Sequence, residues 1–277
     1  MWFAVSVYSP AQDYFVAVFD VITERKQAED EIRTLNAELE RRVVERTTQL
    51  EAANREMEAF AYSVSHDLRA PLRGIDGWSL ALLEDYGSQL DATAHQYLDR
   101  VRSETQRMGQ LIDDLLRLSR VSRIEMQPGP INLSALAQTI AGRLQEAQPE
   151  RQFEFIVQPD LTVRGDSHLL EIALTNLLSN AVKFTTPRPL ALIEFGQTQV
   201  DGRPVYFVRD NGVGFDLAYA RNLFGAFQRM HRQSEFPGTG IGLATVQRIV
   251  YRHGGTIWAD AQVDQGATFY FTLERLA

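Results

Sequence analysis

The pattern of apolar and polar positions divides the chain into segments, the first of which is rich in β-branched and aromatic residues. Two such runs, Trp2–Tyr8 and Asp13–Asp20, are separated by Ser9-Pro10 and predict two β-strands joined by a turn. Two strands alone are marginally stable in water. We therefore expect residues 1–22 to be the last strands of a domain whose earlier part precedes Met1.

A long polar segment from Thr23 to Met57 follows, and it contains neither Gly nor Pro. Its apolar residues recur with heptad spacing in two sets, with an irregularity where the sets meet. The sets are Ile32, Leu35 and Leu39, then Val43, Leu50, Met57 and Val64. This pattern predicts a coiled coil over residues 23–57, because an isolated helix would leave its apolar stripe uncovered. A single solvated helix is the alternative interpretation.

The helical pattern continues to Pro71, and a second amphipathic stretch runs from Asp91 to Leu118. Gly87-Ser88 lies in the polar loop between the two stretches. Two long helices joined by a short loop predict an antiparallel helical hairpin over residues 58–127. One hairpin leaves a wide apolar face exposed. We therefore expect two chains to form a four-helix bundle, so that the protein is a homodimer.

Beyond Pro128-Gly129-Pro130 the pattern changes to a mixture of strands and helices. This mixture predicts an α+β domain over residues 128–277. The predicted strands are 153–157, 204–208, 256–259 and 268–273, and the predicted helices are Leu169–Lys183 and Ala244–His253, the latter closed by Gly254-Gly255.

Composition and charge narrow the range of functions. The formal net charge of −8 argues against a protein that binds nucleic acid through charge alone. The absence of Cys excludes a disulfide framework, a thiolate metal site and a cysteine nucleophile. No apolar run reaches the roughly 18 residues of a membrane span. We expect a soluble, cytoplasmic protein, and the sequence leaves open a membrane anchor upstream of Met1.

A candidate reactive group lies in the segment Ser65-His66-Asp67-Leu68-Arg69-Ala70-Pro71. A neutral imidazole is a competent nucleophile near neutral pH, and Asp67 could fix the tautomer of His66 or accept its proton. Pro71 lacks an N–H, and its ring opposes the carbonyl of Asp67, so we expect a bend in the helix at this point. The alternative is a surface histidine beside a structural kink.

A second candidate is the predicted helix that includes Glu171–Phe184. Asn176 and Asn180 are four residues apart and share a helix face, and Lys183 is adjacent to Asn180. Mg²⁺ prefers oxygen ligands and keeps several waters, so two amide oxygens and an ammonium group suit a magnesium–phosphate group. The alternative is a polar edge of an otherwise apolar helix.

The segment Asp210-Asn211-Gly212-Val213-Gly214 directly follows a predicted strand. Gly212 and Gly214 would let the backbone approach a flat ligand, and Asp210 could accept a hydrogen bond from an exocyclic amine such as that of adenine. Asn-Gly is also a strong hairpin signal, but a helical pattern rather than a strand follows it.

The glycine-rich run Phe236–Leu243 opens the predicted helix that starts at Ala244. Glycines at every second position ahead of a helix N-terminus form a cradle for phosphate. The run matches neither a Rossmann fingerprint nor a P-loop, because its glycine spacing and its ending differ. A flexible loop without a ligand is the alternative.

Taken together and in this order, these motifs resemble those of a sensor histidine kinase of two-component signalling. The resembling segments are His66–Pro71 (H box), Asn176–Phe184 (N box), Asp210–Gly214 (G1 box), Leu223–Phe227 (F box), Gly238–Gly242 (G2 box) and Gly266–Thr268 (last glycine box). Phe19–Lys26 is similar to the end of a PAS sensor domain and its exit into a signalling helix. The resemblance implies a HisKA-type dimerisation domain followed by an α+β sandwich of the Bergerat or GHKL type.

The resemblance also implies roles for single residues. His66 would be the phosphoacceptor, Asp67 its assisting acid–base residue, and the receiver domain of a response regulator the partner that takes the phosphoryl group on an aspartate. ATP and Mg²⁺ would be the cofactors, with Asn180 as the metal ligand. The other implied nucleotide contacts are Asn176 and Lys183 near the phosphates, Phe184, Gly212 and Gly214 along the nucleotide, Asp210 at adenine, Thr268 supporting it through water, Arg229 at the phosphates, and Gly238, Thr239, Gly240, Ile241, Gly242 and Leu243 in the ATP lid.

Two positions refine the expected activity. Related ATPases of this fold, such as the Hsp90 and gyrase group, carry a glutamate where Asn176 stands. An amide cannot accept a proton from water, so Asn176 favours transfer to His66 over hydrolysis. Bifunctional family members usually have Thr or Asn where this chain has Ala70, so we expect weak or absent phosphatase activity. The alternatives are an ATPase of the same fold and a dimeric scaffold with a degenerate nucleotide domain.

Overall fold

The structure is a computed structural model that describes residues 2–11, 14–121, 124–217, 222–232 and 235–274. Asp13, with which the second predicted strand begins, lies outside these residues, as does part of the helical pattern expected after Gly214. The chain divides into two compact units, Met1–Phe60 and Ala61–Ala277.

The first unit contains an antiparallel β-hairpin. Strand β1 (Phe3–Ala11) pairs with strand β2 (Tyr14–Val21) in a register that places Val5 opposite Phe19. Phe19 is 66% exposed and Phe15 is 77% exposed, so the aromatic side chains are not covered by the described residues. The two predicted strands are confirmed, and their assignment to a PAS-like domain stays a prediction.

Helix α1 (Thr23–Tyr86) runs for 64 residues and continues through Pro71. The helix is thus continuous through Pro71, and the bend expected there stays a prediction. The described side chains of the heptad seam in the first unit are exposed: Ile32, Leu35, Leu39 and Val43. The side chains of Leu50 and Met57 lie outside the described part of the chain, and the coiled coil stays a prediction.

The second unit begins with the predicted helical hairpin. The end of α1 is joined to helix α2 (Ala92–Val121) through a short 3-10 turn at Gly87–Gln89. Within the hairpin, Leu72, Ile112 and Leu116 form a small buried cluster. Two long helices therefore meet along a narrow apolar contact.

Polar pairs fix the register of the hairpin. The Arg69 guanidinium donates to Asp113 Oδ1 at 2.7 Å, and the Gln106 amide donates to Asp76 Oδ1 at 3.3 Å. Both pairs have the same residue-number sum, as expected for antiparallel helices. His66 therefore lies at the level of Leu116 on the opposite helix.

Five apolar side chains on the hairpin, which we call the hairpin stripe, remain between 40% and 46% exposed. They recur at seven-residue intervals on each helix. The hairpin stripe consists of Leu68, Ile75 and Leu82 on α1 and Val101 and Met108 on α2. Its spacing is typical of a seam that packs against further helices.

The rest of the second unit is an α+β domain, as predicted. Its elements are β3 (Gly129–Asn132), α3 (Leu133–Glu146), β4 (Gln152–Val157), β5 (Thr162–Gly165), α4 (Ser167–Phe184), β6 (Leu190–Val200), β7 (Arg203–Asp210), α5 (Gly242–Arg252), β8 (Ile257–Gln262) and β9 (Gly266–Phe271). The sequence analysis located β4, α4, β7, α5, β8 and β9 and missed β3, α3, β5 and β6.

A five-stranded sheet in the order β4-β6-β7-β9-β8 forms one layer of this domain. Strands β4 and β6 are parallel and the other neighbours are antiparallel, with Phe195 opposite Val208 and Val208 opposite Phe269. Helix α4 packs on β6 and β7, with α3 and α5 against it. A single apolar core between the sheet and the helices results, in which Leu174 is 1% exposed.

The ends of α4 and α5 are tied together by a buried histidine. His253 is 0% exposed, its Nε2 accepts the N–H of Asp166 at 3.0 Å, and its Nδ1 lies 2.8 Å from the carbonyl of Ile249. Because the Asp166 N–H can only donate, Nδ1 carries the ring proton. Gly254, with φ +71°, ends α5 in the left-handed conformation predicted for its C-terminal glycine.

Among the described residues, no helix combines the length and apolar character needed to cross a bilayer.

Candidate nucleotide site and phosphoacceptor

A cavity of about 510 Å³ lies beside the helical layer of the α+β domain. This volume is in the range of pockets that hold cofactors and nucleotides. Helices α4 and α2, the end of β7, the glycine-rich run and strand β9 all contribute walls. The residues that the sequence predicted and the structure places there are Asn176, Asn180, Lys183, Phe184, Asp210, Gly214, Arg229, Gly238, Thr239, Gly240, Ile241, Gly242 and Leu243.

Helix α4 supplies the amide groups of the site. It starts at Asp166, whose Oδ1 accepts the N–H of Leu169 at 3.0 Å, and its apolar face is buried in the core. Asn176 donates to the carbonyl of Ile172 at 2.8 Å, which fixes its side-chain orientation. Asn180 lines the cavity one turn further on and makes no side-chain hydrogen bond to any described residue, so its amide oxygen is available to a ligand.

Lys183 and Phe184 close the end of α4. The Lys183 ammonium lies 4.2 Å from the centre of the Phe184 ring. Burial lowers the pKa of Lys183 to about 8, with a further contribution from the nearby positive charge of Arg229. An anion that enters the cavity would therefore relieve an unfavourable positive charge.

Asp210 is the buried acid of the site. It ends β7, is 5% exposed, and its Oδ1 accepts the N–H of Gly212 at 2.9 Å. Burial raises the pKa of Asp210 to about 6, although backbone hydrogen bonds from Gly212 and Ala267 act in the opposite direction. Near neutral pH Asp210 is therefore mostly a carboxylate, which accepts hydrogen bonds.

Glycines bring the backbone close around Asp210. Gly214 has φ +57°, and a Cβ there would lie 2.0 Å from the carbonyl oxygen of Gln262. A Cβ at Gly212 would lie 2.6 Å from the carbonyl oxygen of Phe184. Both positions therefore require glycine because of the protein's own backbone. Gly214 lines the cavity and Gly212 is not in its described lining, so the expected approach of these glycines to a ligand stays a prediction.

The glycine-rich run forms a loop that ends where α5 begins, at Gly242. Gly238 and Gly240 have φ +152° and +77°. A Cβ at Gly242 would lie 2.6 Å from Asn176 Oδ1, so only glycine lets the first turn of α5 approach α4 this closely. The N–H groups at the start of α5 therefore lie beside the amides of α4 and are suited to an anion.

The position of Arg229 differs in part from the expectation. Its guanidinium lines the cavity but donates to the carbonyls of Phe236 and Gly238 at 2.6 and 2.7 Å. Arg229 thus shapes the glycine-rich loop, and its donors are directed at backbone oxygens.

The expectation for Thr268 is wrong in this structure. Ala267 and Phe269 line the cavity, whereas Thr268 lies on the opposite face of β9, 3.4 Å from Arg209 Nε. Side chains alternate along a strand, so a one-residue shift moves a side chain to the other face. Ala267 is the residue that pairs with Asp210 across the sheet.

Helix α2 contributes cavity residues that the sequence analysis missed, namely Asp114, Arg117 and Arg120. Asp114 Oδ2 accepts the hydroxyl of Thr239 at 2.7 Å, which joins the glycine-rich loop to the helical hairpin. The helical signal of α2 was visible in the sequence, but no motif indicated which of its faces lies against the α+β domain.

His66 is an exposed residue of α1, and the described lining of the cavity does not include it. Its side chain is 74% exposed, and Nδ1 lies 3.2 Å from Asp67 Oδ1. When Asp67 is ionised, Nδ1 is the nitrogen that donates, and Nε2 keeps its lone pair. The predicted tautomer-fixing role of Asp67 is therefore compatible with the geometry.

Two family models match the chain, one over the helical hairpin with His66 and one over most of the α+β domain with the cavity. Residues 56–123 match "His Kinase A (phospho-acceptor) domain", and residues 165–277 match "Histidine kinase-, DNA gyrase B-, and HSP90-like ATPase". The chain belongs to the sensor histidine kinases. In this kinase, His66 falls within the first match, and the cavity residues from Asn176 to Phe269 fall within the second.

Named relatives agree with this family. The kinase is 37% identical over 256 residues to cyanobacterial phytochrome B of Nostoc sp., covering 90% of this chain and 32% of that protein. It is 39% identical over 235 residues to the methanogenesis regulatory histidine kinase FilI of Methanothrix harundinacea, covering 83% of this chain and 26% of that protein. The chain thus spans about a third or less of the length of these relatives.

Solved structures support the same fold. Full-length ShkA in complex with AMPPNP aligns with a TM-score of 0.54 and 27% identity, covering 76% of this kinase and 44% of that chain. The Acinetobacter baumannii histidine kinase AdeS aligns with a TM-score of 0.53 and 20% identity, covering 76% of this kinase and 98% of that chain. A helical domain followed by an ATPase-type α+β domain is therefore the shared architecture.

Proposed function

We propose that this chain binds ATP with Mg²⁺, transfers the γ-phosphoryl group to His66 and then passes it to an aspartate on a response regulator. The observation that carries the proposal is the composition of one cavity: a buried carboxylate at Asp210, and two amides, an ammonium and a helix N-terminus at α4 and α5. These groups suit the base and the phosphates of a nucleotide.

The ligand set supports a role for magnesium. Asn180 presents an amide oxygen without a described partner, which fits a hard cation. Among the described residues, no three His, Asp or Glu side chains converge on one point, so phosphate oxygens would complete the coordination. When bound, Mg²⁺ neutralises charge on the phosphates. Asn176 and Lys183 would hold the same phosphates.

The transfer step follows from the tautomer of His66. Asp67 holds Nδ1–H, so Nε2 of His66 attacks the γ-phosphorus. A nitrogen–phosphorus bond forms while the bond from the γ-phosphorus to the bridging oxygen breaks, and ADP leaves with the electron pair. Asp67 can accept the Nδ1 proton from the positively charged phosphoimidazole. Lys183 and the N–H groups at the start of α5 stabilise the charge that develops on the leaving ADP.

Hydrolysis of ATP is disfavoured by the residues at the cavity. Asn176 has no proton-accepting group, and its amide nitrogen is engaged by the carbonyl of Ile172. We also propose weak or absent phosphatase activity towards the regulator, because the methyl group of Ala70 cannot hold a water by hydrogen bonding. A severalfold acceleration of regulator dephosphorylation by the purified chain would contradict this part.

The partners are also part of the proposal. A HisKA domain implies dimerisation and signalling to a response regulator. The hairpin stripe would supply the dimer interface, and the exposed surface around His66 would receive the receiver domain. Because ATP and the regulator are both needed, the proposal places the reaction in the cytoplasm. Residues 23–57 would form the coiled coil that leads to the hairpin, and inserting two residues there should change the labelling rate of His66.

The deciding experiment is incubation of the chain with γ-labelled ATP and Mg²⁺. Acid-labile label is expected on wild type and on His95→Gln, a control in the same hairpin, but not on His66→Gln. Label on His66→Gln would move the acceptor elsewhere. Bound ATP without any label would support the scaffold interpretation, and steady release of phosphate without labelled protein would support an ATPase.

A further inference from the structure

Helix α2 presents two cations and one acid to the nucleotide cavity. Asp114, Arg117 and Arg120 follow one another at three-residue intervals, so they lie along one side of the helix. The hairpin is therefore a wall of the cavity as well as the support of His66. The net positive charge of this wall is suited to a phosphate group.

Two contacts fix this part of α2 against the α+β domain. The Thr239 hydroxyl donates to Asp114 Oδ2 at 2.7 Å, and Gln110, on α2 itself, orients this carboxylate by donating to its Oδ1 at 3.2 Å. Two turns further on, the Arg252 guanidinium donates to the carbonyl of Val121, which is 2% exposed. Arg117 lies between these anchor points, so its backbone position relative to the glycine-rich loop is set from both sides.

The register of the hairpin places Arg117 at the height of the phosphoacceptor. His66 lies at the level of Leu116, which is 5% exposed and packs inside the hairpin. The next residue, Arg117, is exposed and reaches the cavity. Its guanidinium makes no hydrogen bond or ion pair with the part of the chain that the structure describes. Arg117 thus lies at the level of His66 and lines the nucleotide cavity.

In the part that the structure describes, the α+β domain supplies few free cations to the phosphates, so a further cation from the hairpin would add to their binding. Arg229 directs its donors at the carbonyls of Phe236 and Gly238. Among the described residues of that domain's cavity wall, Lys183 is therefore the lysine or arginine that remains available. A phosphoryl group in transfer carries negative charge on three oxygens, and fixed cations around it lower the barrier. A planar guanidinium can contact two of these oxygens at once.

We propose that Arg117 is a phosphate-binding residue supplied by the helical hairpin, which contacts the γ-phosphate of ATP on its way to His66. The inference rests on the proposed kinase function and deepens it. Asp114 and Thr239 act as positioning residues that hold the hairpin against the loop. Arg120 lies one turn further from the Asp114 contact, so it is expected to contribute less.

The test compares nucleotides that differ by one phosphate. In the full chain, Arg117→Gln should lower the affinity for AMPPNP with Mg²⁺ about tenfold and the affinity for ADP with Mg²⁺ less than twofold, since one charge-assisted hydrogen bond to the terminal phosphate is lost. Arg117→Lys should recover part of the loss. The exposed position of Arg117 leaves folding unaffected by these changes.

Matched variants on the same helix control for charge. Arg107→Gln removes a half-buried arginine of α2 that pairs with Glu104 and is not in the described cavity lining, so both affinities should stay unchanged. Equal losses for AMPPNP and ADP in Arg117→Gln would indicate a structural role and overturn the inference, as would no loss at all. A selective loss of AMPPNP in Arg120→Gln instead would assign the contact to Arg120.

Labelling separates this inference from the kinase proposal. Wild type that binds AMPPNP but never labels His66 contradicts the kinase function, whatever Arg117 does. Wild type that labels His66 together with an Arg117→Gln variant that labels at the same rate, with the same AMPPNP-to-ADP preference, overturns only the role of Arg117. A roughly tenfold slower single-turnover labelling with the altered preference supports both.

Discussion

The helical hairpin and the α+β domain bury their apolar side chains to different degrees. In the α+β domain one continuous core includes Leu133, Leu169 and Leu174, each at most 1% exposed. In the hairpin the separate buried cluster has three members, and the hairpin stripe stays exposed. The α+β domain therefore contains its own stabilising core, whereas the hairpin leaves an apolar stripe that a bundle would cover with further helices.

This difference separates the residues proposed to hold the nucleotide from the residue proposed to receive the phosphoryl group. Asp210 is 5% exposed and surrounded by backbone at the two glycines of its motif. The His66 side chain is 74% exposed on a helix surface. A nucleotide must be held in a fixed, dry environment, while the acceptor must be reached in turn by ATP and by a regulator.

The largest effect is expected from a charge in the hairpin stripe. Ile75→Glu should convert the dimer to a monomer, weakening association by about a thousandfold, which corresponds to about 4 kcal/mol, because two carboxylates would be buried without partners. Sedimentation or light scattering measures the mass. Arg73→Glu, an exposed change outside the hairpin stripe, is the control, and a dimer that survives Ile75→Glu would place the interface elsewhere.

A pair of Gly→Ala changes should act with opposite signs in the two regions. Gly214→Ala should lower the free energy of unfolding by about 3 kcal/mol, because its φ of +57° and the 2.0 Å approach to a carbonyl oxygen exclude a Cβ. Gly77→Ala lies inside α1 with no atom near the added Cβ, and should raise it by about 0.5–1 kcal/mol. Urea denaturation followed by circular dichroism measures both. Changes of the same sign would refute the contrast.

Nucleotide affinity should fall at acidic pH through Asp210. Its pKa of about 6 means that the carboxylate gains a proton below that pH and loses its ability to accept from the adenine amine, with an expected loss of about tenfold. Calorimetric titration of AMPPNP between pH 5 and pH 7 measures this. Asp210→Asn should bind more weakly at neutral pH and lack the extra loss, and the titration of the nucleotide's own phosphates is common to both proteins.

A second decrease in nucleotide affinity is expected at alkaline pH, through Lys183. Its pKa of about 8 means that the ammonium loses its proton, and with it the attraction to phosphate, as the pH rises above 8. The affinity for AMPPNP should therefore decline by several-fold between pH 8 and pH 9.5, since a charged hydrogen bond is lost. In Lys183→Arg the side chain stays protonated, so the affinity should decline much less over this pH range. An unchanged decline in that variant would assign it to another group.

The smallest effect is expected from the polar links of the hairpin. The Arg69–Asp113 pair is 40% and 53% exposed, so water screens it. A double-mutant cycle with Arg69→Ala and Asp113→Ala should give a coupling free energy below about 1 kcal/mol. A larger value, measured by thermal unfolding, would show that the hairpin is held by ion pairs more than by its stripe and its partner.

Sequence periodicity was sufficient to locate four of the five described α-helices and most of the five-stranded sheet. The change from heptad spacing to mixed strands located the hairpin and the α+β domain, and fold class is confirmed. Helix α3 was missed, although Leu133, Ala137 and Ile140 have helical spacing. Asn132 also caps the start of this helix, because its side-chain amide oxygen accepts the N–H of Ala135. That signal was present and could have been used.

The errors at the site have a common physical origin. Whether Ala267 or Thr268 faces the cavity depends on which residue of β9 pairs with Asp210. This pairing cannot be read from a single amino-acid sequence. The family resemblance placed Arg229 at the phosphates, but the carbonyls of Phe236 and Gly238 take its donors. Asp114 and Arg117 reach the cavity through tertiary packing, which motif spacing cannot reveal.

The parallel pairing of β4 with β6 has a consequence for how the domain assembles. Parallel strands need a long crossover, and here that crossover contains α4, the helix with Asn176, Asn180 and Lys183. Because α4 lies in the crossover and packs on β6 and β7, the helix with the site's amides and the sheet depend on the same core contacts. A ligand that binds only the folded domain at a hundred times its dissociation constant adds about 2.7 kcal/mol to stability. Under the proposed function, the phosphoryl donor would thus also protect the domain from unfolding.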